Sequence, residues 1–225
     1  INLTFDMGVS EKFYVEKINI MGNSITREDV IRNKLLVDEG DPFNELLQTR
    51  TLNNLKALNF FSKVESEILD IENENKKIIN ITVEEKPTGE IMAGAGVGTE
   101  GGAVAFGVSE NNFLGKGIQF TTDFSIGSEK LSGLISLNNP NYNGSNRSLN
   151  ASLESTVTDR LTNFGYKSKK TGFSVGSGFE FYDDLYWNTG ISSYVEKLDT
   201  DSTASDSMKK QEGSYFDTFF NHTFS

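Results

Sequence analysis

Cysteine is absent from this chain of 225 residues, and its absence excludes disulfide-stapled scaffolds and thiolate metal sites. Histidine is almost absent as well, because His222 is the only one. No Gly-x-Ser-x-Gly motif accompanies it, and a single histidine in a strand-like run is a poor candidate for a catalytic base. We therefore expect neither an enzyme nor a bound cofactor.

The chain also lacks a long hydrophobic run, since no segment approaches the roughly 18–20 apolar residues of a membrane-spanning helix. A β-barrel crosses a bilayer without one, because each strand needs only about 9–11 residues of alternating polarity. Basic residues are scarce too: 21 Lys and Arg against 32 Asp and Glu give a formal net charge of −11. Because phosphate backbones are bound by a basic face, this balance argues against a nucleic-acid partner.

The first part of the chain contains a β-α-α-β-β pattern. A β-rich segment at residues 13–21 precedes a short helix for which Thr26 is the predicted N-cap, and Asp41-Pro42 is the predicted start of a second, leucine-rich helix. Two more β-rich segments follow at residues 62–71 and 77–86. This order predicts a small α+β unit in which two helices cover one face of a sheet.

The rest of the chain alternates apolar and polar residues, which is the period of β-strands. In Ile118–Ile126, for example, every second residue is apolar or Thr, and the residues between are polar. About eight such runs can be counted. In a barrel, carboxylates such as Asp123, Glu154 and Glu180 would face a hydrated interior.

A soluble β-sandwich alternates in the same way, so the connections between strands have to decide. If the strands form antiparallel hairpins, the longest connections, residues 158–170 and 199–214, fall on one rim. The opposite rim has compact turns such as Asp183-Asp184. Short turns on one rim and long polar loops on the other are typical of outer-membrane barrels. We therefore predict antiparallel transmembrane β-barrel strands from about Gly89 onward.

The stretch Ile91–Gly98 differs from the other strands because one of its faces is almost bare. One face carries Ile91, Ala93, Ala95 and Val97, and the other carries Met92, Gly94, Gly96 and Gly98. Glycine in a strand costs conformational entropy and adds no cross-strand packing, so this strand should hold its neighbours weakly. A dinucleotide-binding loop is excluded, since the glycine spacing is wrong and no helix follows.

Motifs along nearly the whole chain resemble the Omp85 superfamily. In the first part, four motifs are similar to a POTRA domain, the periplasmic repeat of that superfamily: Ile18-x-x-x-Gly22-Asn23, the Glu39-Gly40 turn, Leu58-Asn59-Phe60-Phe61, and VEEKPTG ending at Gly89. In the second part, three motifs are similar to the barrels of BamA-type outer-membrane assembly proteins: GVGTEGG at Gly96–Gly102, NNFLG at Asn111–Gly115, and NPNY at Asn139–Tyr142.

The resemblance implies a domain organisation. Residues 1–10 would end a preceding POTRA repeat, and residues 11–87 would form a POTRA domain. Residues 88–225 would supply the N-terminal half of a barrel, about eight of sixteen strands. The implied location is the outer membrane, with the POTRA domain in the periplasm.

The resemblance also implies a function, the folding and insertion of β-barrel proteins into the outer membrane. The implied partners are unfolded outer-membrane β-barrel clients, accessory lipoproteins of an assembly complex, and outer membrane lipid. Glu39 matches a family position that contacts such a lipoprotein, and Gly40 completes the same turn.

The predicted mechanism is non-covalent. Inside a bilayer, unpaired backbone N–H and C=O groups cost several kcal/mol each, so the first strand of a barrel must pair with the last. A weak ladder at Ile91–Gly98 would make this closure a lateral gate, and its backbone groups could accept a client strand by β-augmentation. The alternatives are a two-partner secretion exporter of the same superfamily, a passive porin with a periplasmic module, and a soluble β-sandwich binding module.

Overall fold

The computed structural model describes residues 11–72, 74–98 and 101–225. The chain divides into two compact units, with the boundary between Pro87 and Thr88. The first unit contains a three-stranded sheet and the second an eight-stranded sheet. The predicted assignment of residues 1–10 to a preceding repeat lies outside the described residues.

The first unit has the predicted order β-α-α-β-β. Its elements are β1 (Tyr14–Met21), α1 (Glu28–Arg32), α2 (Glu45–Ala57), β2 (Phe61–Asp70) and β3 (Lys76–Glu85). The strand β3 is central, parallel to β1 and antiparallel to β2. This arrangement confirms the predicted α+β class.

A single apolar core holds this unit together. Ile31 of α1, Leu55 of α2 and the two residues Ile79 and Ile81 of β3 are fully buried. The rest of the buried core consists of Val15, Ile18, Val37, Phe60, Phe61, Val64 and Val83. Burial of each such side chain stabilises the fold by roughly 1.5–3 kcal/mol, so the helices are held mainly by packing against the sheet.

Both predicted helix starts are wrong, and in both cases a non-local hydrogen bond is the reason. The backbone N–H of Thr26 donates to Glu85 on β3 (2.6 Å), and α1 begins only at Glu28, without a side-chain cap. At the second helix, the carbonyl of Asp41 accepts from Val15 (2.9 Å), so this segment runs beside β1. The helix α2 therefore starts after Asn44, whose side chain caps it.

The second unit is an antiparallel meander. Its strands are β4 (Gly89–Gly98), β5 (Gly101–Phe113), β6 (Ile118–Gly127), β7 (Lys130–Asn139), β8 (Arg147–Arg160), β9 (Tyr166–Tyr182), β10 (Leu185–Thr200) and β11 (Gly213–Phe224). Each strand pairs with its neighbours in sequence, from β4 at one edge to β11 at the other. The eight predicted strands are confirmed. Among the described residues, no helix is long and apolar enough to span a membrane.

The two faces of this sheet differ in polarity. Residues opposed across neighbouring strands share a face, so Ala93, Phe106 and Phe124 lie in one row. We call this the apolar face, and its side chains are exposed, with Phe106 and Phe124 at 47% and 48% of their full accessibility. The adjacent row, on what we call the polar face, contains Asp123 and Glu154. This is the reverse of the first unit, where apolar side chains point inward.

The predicted contrast between the two rims is weaker than expected. Much of the predicted loop at residues 158–170 is strand, because β8 and β9 pair as far as Arg160 and Tyr166. Its connection contains only residues 161–165, which include the short helix α3 (Leu161–Phe164). The longest connection on that rim spans residues 201–212 and includes the helix α4 (Asp206–Lys209).

Candidate functional site: the edge strand β4

All eight residues predicted to form the gate, Ile91–Gly98, lie in β4. Within the described part of the chain, this strand pairs with β5 alone, from Gly89 opposite Glu110 to Gly98 opposite Gly101. Every residue of β4 is exposed, and Val97 reaches 92% of its full accessibility. The structure therefore places these residues on one open edge of the sheet.

Backbone hydrogen bonding alternates along β4. The carbonyl of Thr88, which directly precedes β4, accepts a hydrogen bond from the N–H of Asn111 on β5 (3.3 Å). In an antiparallel ladder, bonded and non-bonded residue pairs alternate. Met92, Gly94 and Gly96 therefore direct their backbone groups at β5.

The other residues of β4 direct their N–H and C=O groups at the free edge: Ile91, Ala93, Ala95 and Val97. A hydrogen bond on the far side of β5 supports this phase, because Gly102, opposite Val97, directs its carbonyl to Ser128 (3.1 Å) and not to β4. The residues with apolar side chains are thus the ones that offer backbone partners to another strand.

Three of the four glycines of β4 are not required by packing within the described chain. A Cβ atom added to Gly94, Gly96 or Gly98 would have no described atom within 4 Å. Their backbone φ angles do not lie in the left-handed region that favours glycine. Neither crowding nor backbone geometry within the described chain explains why these positions lack side chains.

One end of β4 is tied down by side chains. The hydroxyl of Thr88 donates a hydrogen bond to the carboxylate of Glu110 on β5. The same carboxylate accepts from the N–H of Asn112 (2.7 Å), and the buried Asn112 side chain accepts from Gly117 (2.8 Å). The sequence motif at Asn111–Gly115 was noted only as a resemblance, so this anchor was missed.

Of the two large side chains on the polar face of β4, Glu90 and Met92, only Met92 lies within the predicted gate. Its terminal methyl lies over Gly107, 3.2 Å from where a Cβ of that glycine would be. An open groove of about 600 Å³ runs beside these residues, and its lining includes Gly94, Asp123 and Glu154. The polar face of β4 therefore has free space beside it.

The predicted lipoprotein contact, Glu39 and Gly40, lies in the first unit. Oε1 of Glu39 accepts from the N–H of Ile18 (3.0 Å) and lies 3.8 Å from Nη1 of Arg32. Arg32 in turn donates to the carbonyl of Ile18 (3.1 Å). Together the two side chains form hydrogen bonds with the edge of β1 that does not pair with β3. The adjacent Gly40 makes the turn, with a φ of +97°. The partner contact itself stays a prediction.

A carboxylate at the end of β3 organises the loop before α1. Partial burial alone would raise the pKa of Glu85. Hydrogen bonds from Thr26, Ile25 and Ser24 to its two oxygens outweigh burial and lower the pKa to about 2. Glu85 is therefore ionised at neutral pH and holds this loop against the sheet.

Groups for bond chemistry are few in the described part of the chain. Nδ1 of His222 lies 3.2 Å from the hydroxyl of Thr189, on an exposed stretch of β11. No group of three or more His, Asp or Glu side chains among the described residues could hold a metal ion. What the structure offers at β4 is backbone hydrogen bonding.

Comparisons with known proteins cover both units. The profile of the POTRA family, "Surface antigen variable number repeat", matches residues 13–86. The profile of the Omp85 superfamily domain matches residues 112–225, just over half of the chain.

Two curated relatives are both called outer membrane protein assembly factor BamA. The protein from Nitratidesulfovibrio vulgaris is 25% identical over an alignment of 223 positions, and the match covers 95% of this chain and 27% of that protein. The protein from Neorickettsia risticii is 26% identical over 215 residues, which are 95% of this chain and 29% of that protein. The chain thus spans less than a third of the length of these relatives.

The fold also matches a solved structure, BamA from Haemophilus ducreyi lacking POTRA domains 1–3. The TM-score is 0.77 at 22% sequence identity, and the match covers 96% of this chain and 43% of that one. Both the POTRA-like unit and the strand meander are included in that coverage. On the family profiles and this fold, the chain belongs to the Omp85 superfamily.

Proposed function

We propose that this chain is part of an outer-membrane assembly factor that folds and inserts β-barrel proteins. Superfamily membership and the similarity to two assembly factors support this function. The observation that carries it is the first strand β4, whose Ile91, Ala93, Ala95 and Val97 direct backbone groups away from β5 while Gly94, Gly96 and Gly98 add no side-chain packing. The strand unit lies in the outer membrane, and the POTRA unit lies in the periplasm.

The polarity of the sheet supports this placement. An exposed apolar face is unfavourable in water, but it is suited to lipid acyl chains. Inside lipid, each unpaired N–H or C=O group on the free edge costs several kcal/mol. The edge therefore pairs with another strand, either the closing strand of the same barrel or an incoming client.

The glycines make this pairing exchangeable. With no side chains at Gly94, Gly96 and Gly98, pairing to β4 gains little from packing on the polar face. What remains is backbone hydrogen bonding, which does not depend on the client's sequence. A lateral gate at β4 thus serves many clients, because a client strand replaces the closing strand bond for bond.

Accessory lipoproteins contact the first unit at the Glu39–Gly40 turn. One oxygen of Glu39 is bonded within the unit, but its side chain keeps 46% of its accessibility. A cationic or N–H donor on a partner can therefore still reach this carboxylate.

A proline substitution at Ala95 tests whether the free edge of β4 pairs with client strands. Ala95→Pro removes one N–H from the free edge and leaves the ladder with β5 intact. We expect client folding into liposomes to slow about tenfold, the equivalent of one lost hydrogen bond of about 1.4 kcal/mol. The matched control, Ala95→Val, keeps the N–H and should stay within about twofold of the unchanged protein.

The client's own fate separates the outcomes. Unchanged client folding by Ala95→Pro, with the variant itself correctly folded, would contradict the proposal. If the client instead accumulates on the other side of the membrane, the protein is a two-partner secretion exporter. Steady ion conductance without client folding would identify a passive porin.

A further inference from the structure

Two lysines face each other on the apolar face of the strand sheet. Lys169 of β9 and Lys197 of β10 are opposed residues. Their row continues through Val157 and Leu131 on the preceding strands. Like charges directly opposite each other on neighbouring strands are destabilising, so this arrangement needs an explanation.

The opposite face of the same two strands has no such conflict. One residue further along β9, Lys170 is opposed by Glu196 of β10. The Lys170 ammonium also lies 4.1 Å from the centre of the Tyr194 ring. On the polar face, the charge of Lys170 is thus opposed by a carboxylate on the neighbouring strand. On the apolar face, a lysine is opposed by a second lysine.

Nearby carboxylates on the apolar face compensate only part of this charge. Lys197 forms an ion pair with Asp199 (2.8 Å), and Lys167 forms one with Asp159 (2.7 Å). Lys169 is exposed, and none of the described residues forms an ion pair with it. The patch therefore carries an excess positive charge, although the whole chain is acidic.

The lysine pair lies where the apolar face ends. Between Lys169 and Phe179 on β9, the residues of this face are uncharged: Thr171, Phe173, Val175 and Ser177. At the other end, the guanidinium of Arg147 lies 5.3 Å from the centre of the Phe179 ring. Lys169 and Phe179 are ten residues apart, which at about 3.3 Å per residue and a strand tilt of about 40° corresponds to a height of about 25 Å along the membrane normal. This height equals the thickness of the apolar band of a membrane barrel. The lysines are thus at headgroup level.

We propose that Lys169 and Lys197 bind the phosphate of a membrane lipid in the leaflet at this rim. A phosphate between the two ammonium groups removes their repulsion, and the lipid's acyl chains lie against the apolar face below. This site rests on the membrane placement in the proposed function. It does not depend on the client-pairing role of β4.

Lipid retention by the purified protein in detergent micelles tests the site. The probes are phosphatidylglycerol, whose phosphate is uncompensated, and phosphatidylcholine, whose phosphate is paired with a cation. Retained lipid is counted by native mass spectrometry. We expect Lys169→Gln/Lys197→Gln to retain about thirtyfold less phosphatidylglycerol, the equivalent of roughly 1 kcal/mol for each of the two lysines. The control Lys170→Gln, on the polar face, should retain as much as the unchanged protein.

Three results would overturn the proposal. The first is that the double variant retains as much phosphatidylglycerol as the unchanged protein. The second is equal loss in Lys170→Gln. The third is competition by millimolar inorganic phosphate, which would make the site one for free anions. Client folding in phosphatidylcholine liposomes, measured on the same double variant, separates the two proposals, because it should stay unchanged if only the lipid site is lost.

Discussion

The strands β4 and β9 both carry three or more glycines, but for opposite reasons. In β9, neighbouring side chains occupy the space: a Cβ at Gly172 would lie 2.3 Å from the Tyr194 ring, and one at Gly178 would lie 2.2 Å from the Asn188 amide. In β4, a Cβ at Gly94 would meet no described atom within 4 Å. Glycine in β9 thus accommodates contacts inside the sheet, whereas glycine in β4 leaves space that the described chain does not use.

The largest expected effect separates these two uses directly. Gly172→Ala puts a Cβ 2.4 Å from the Ser193 carbonyl oxygen as well as against the Tyr194 ring. Overpacking of this kind should lower the free energy of unfolding by about 3 kcal/mol. Gly94→Ala should raise it by about 0.5 kcal/mol, because only conformational entropy changes. Urea unfolding in detergent micelles measures both changes in the free energy of unfolding. An equal loss in the two variants would contradict the different roles of glycine in β4 and β9.

A proline pair within β4 tests the hydrogen-bond phase. Gly96→Pro removes an N–H that bonds β5, and we expect a loss of about 2 kcal/mol in the free energy of unfolding. Ala95→Pro removes an N–H on the free edge and should cost less than about 1 kcal/mol in the same measurement. If Ala95→Pro proves the more destabilising of the two, the assigned phase is wrong.

The next effect lies outside both strands and depends on pH. The folded-state pKa of Glu85 is about 2, below the value of 4.5 for an unperturbed glutamate. Its stabilising contribution is therefore present above about pH 4.5 and is lost as the pH falls towards 2. Glu85→Gln should destabilise the first sheet by about 1–2 kcal/mol at pH 7.

Hydrogen exchange of the buried Ile79 amide reports this change in the whole protein. The difference between Glu85→Gln and the unchanged protein should be largest at pH 7 and smaller at pH 3. A difference that does not vary with pH would show that the carboxylate's charge is not responsible.

The smallest effect concerns the anchor of β4. Glu110→Gln weakens the hydrogen bonds to Thr88 and Asn112, and about 1 kcal/mol of local stability should be lost. Amides near Gly89 should then exchange up to about fivefold faster, while those of β9 stay unchanged. Equal acceleration in β9 would mean that the whole sheet, and not the anchor, was weakened.

Most of the fold could be predicted because its signals are local. Alternation of apolar and polar residues identified all eight strands of the second unit, and helical spacing identified α2. The errors arose where local signals were missing. Lys167 and Lys169 extend β9 beyond the apolar band, and a strand that is polar on both faces has the sequence of a loop.

The site was predicted only in part. The glycines of β4 made it recognisable as an exceptional strand. Which of its residues face the free edge follows from the bonds that join Thr88 to Asn111 and Gly102 to Ser128, and the anchor depends on Glu110. Both are contacts across more than twenty positions of sequence, and no local pattern encodes them.

Disulfide trapping with a stalled client tests the central claim most directly. Single cysteines are placed at Ala93, Ala95 and Val97, and cysteines are scanned along the edge strand of a client arrested during insertion. We predict crosslinks that follow one continuous strand register, shifting by two client residues for every two residues of β4. Matched cysteines at Ala151 and Val175, which lie within the sheet, should not react. A client that inserts normally without any crosslink to β4 would contradict the account.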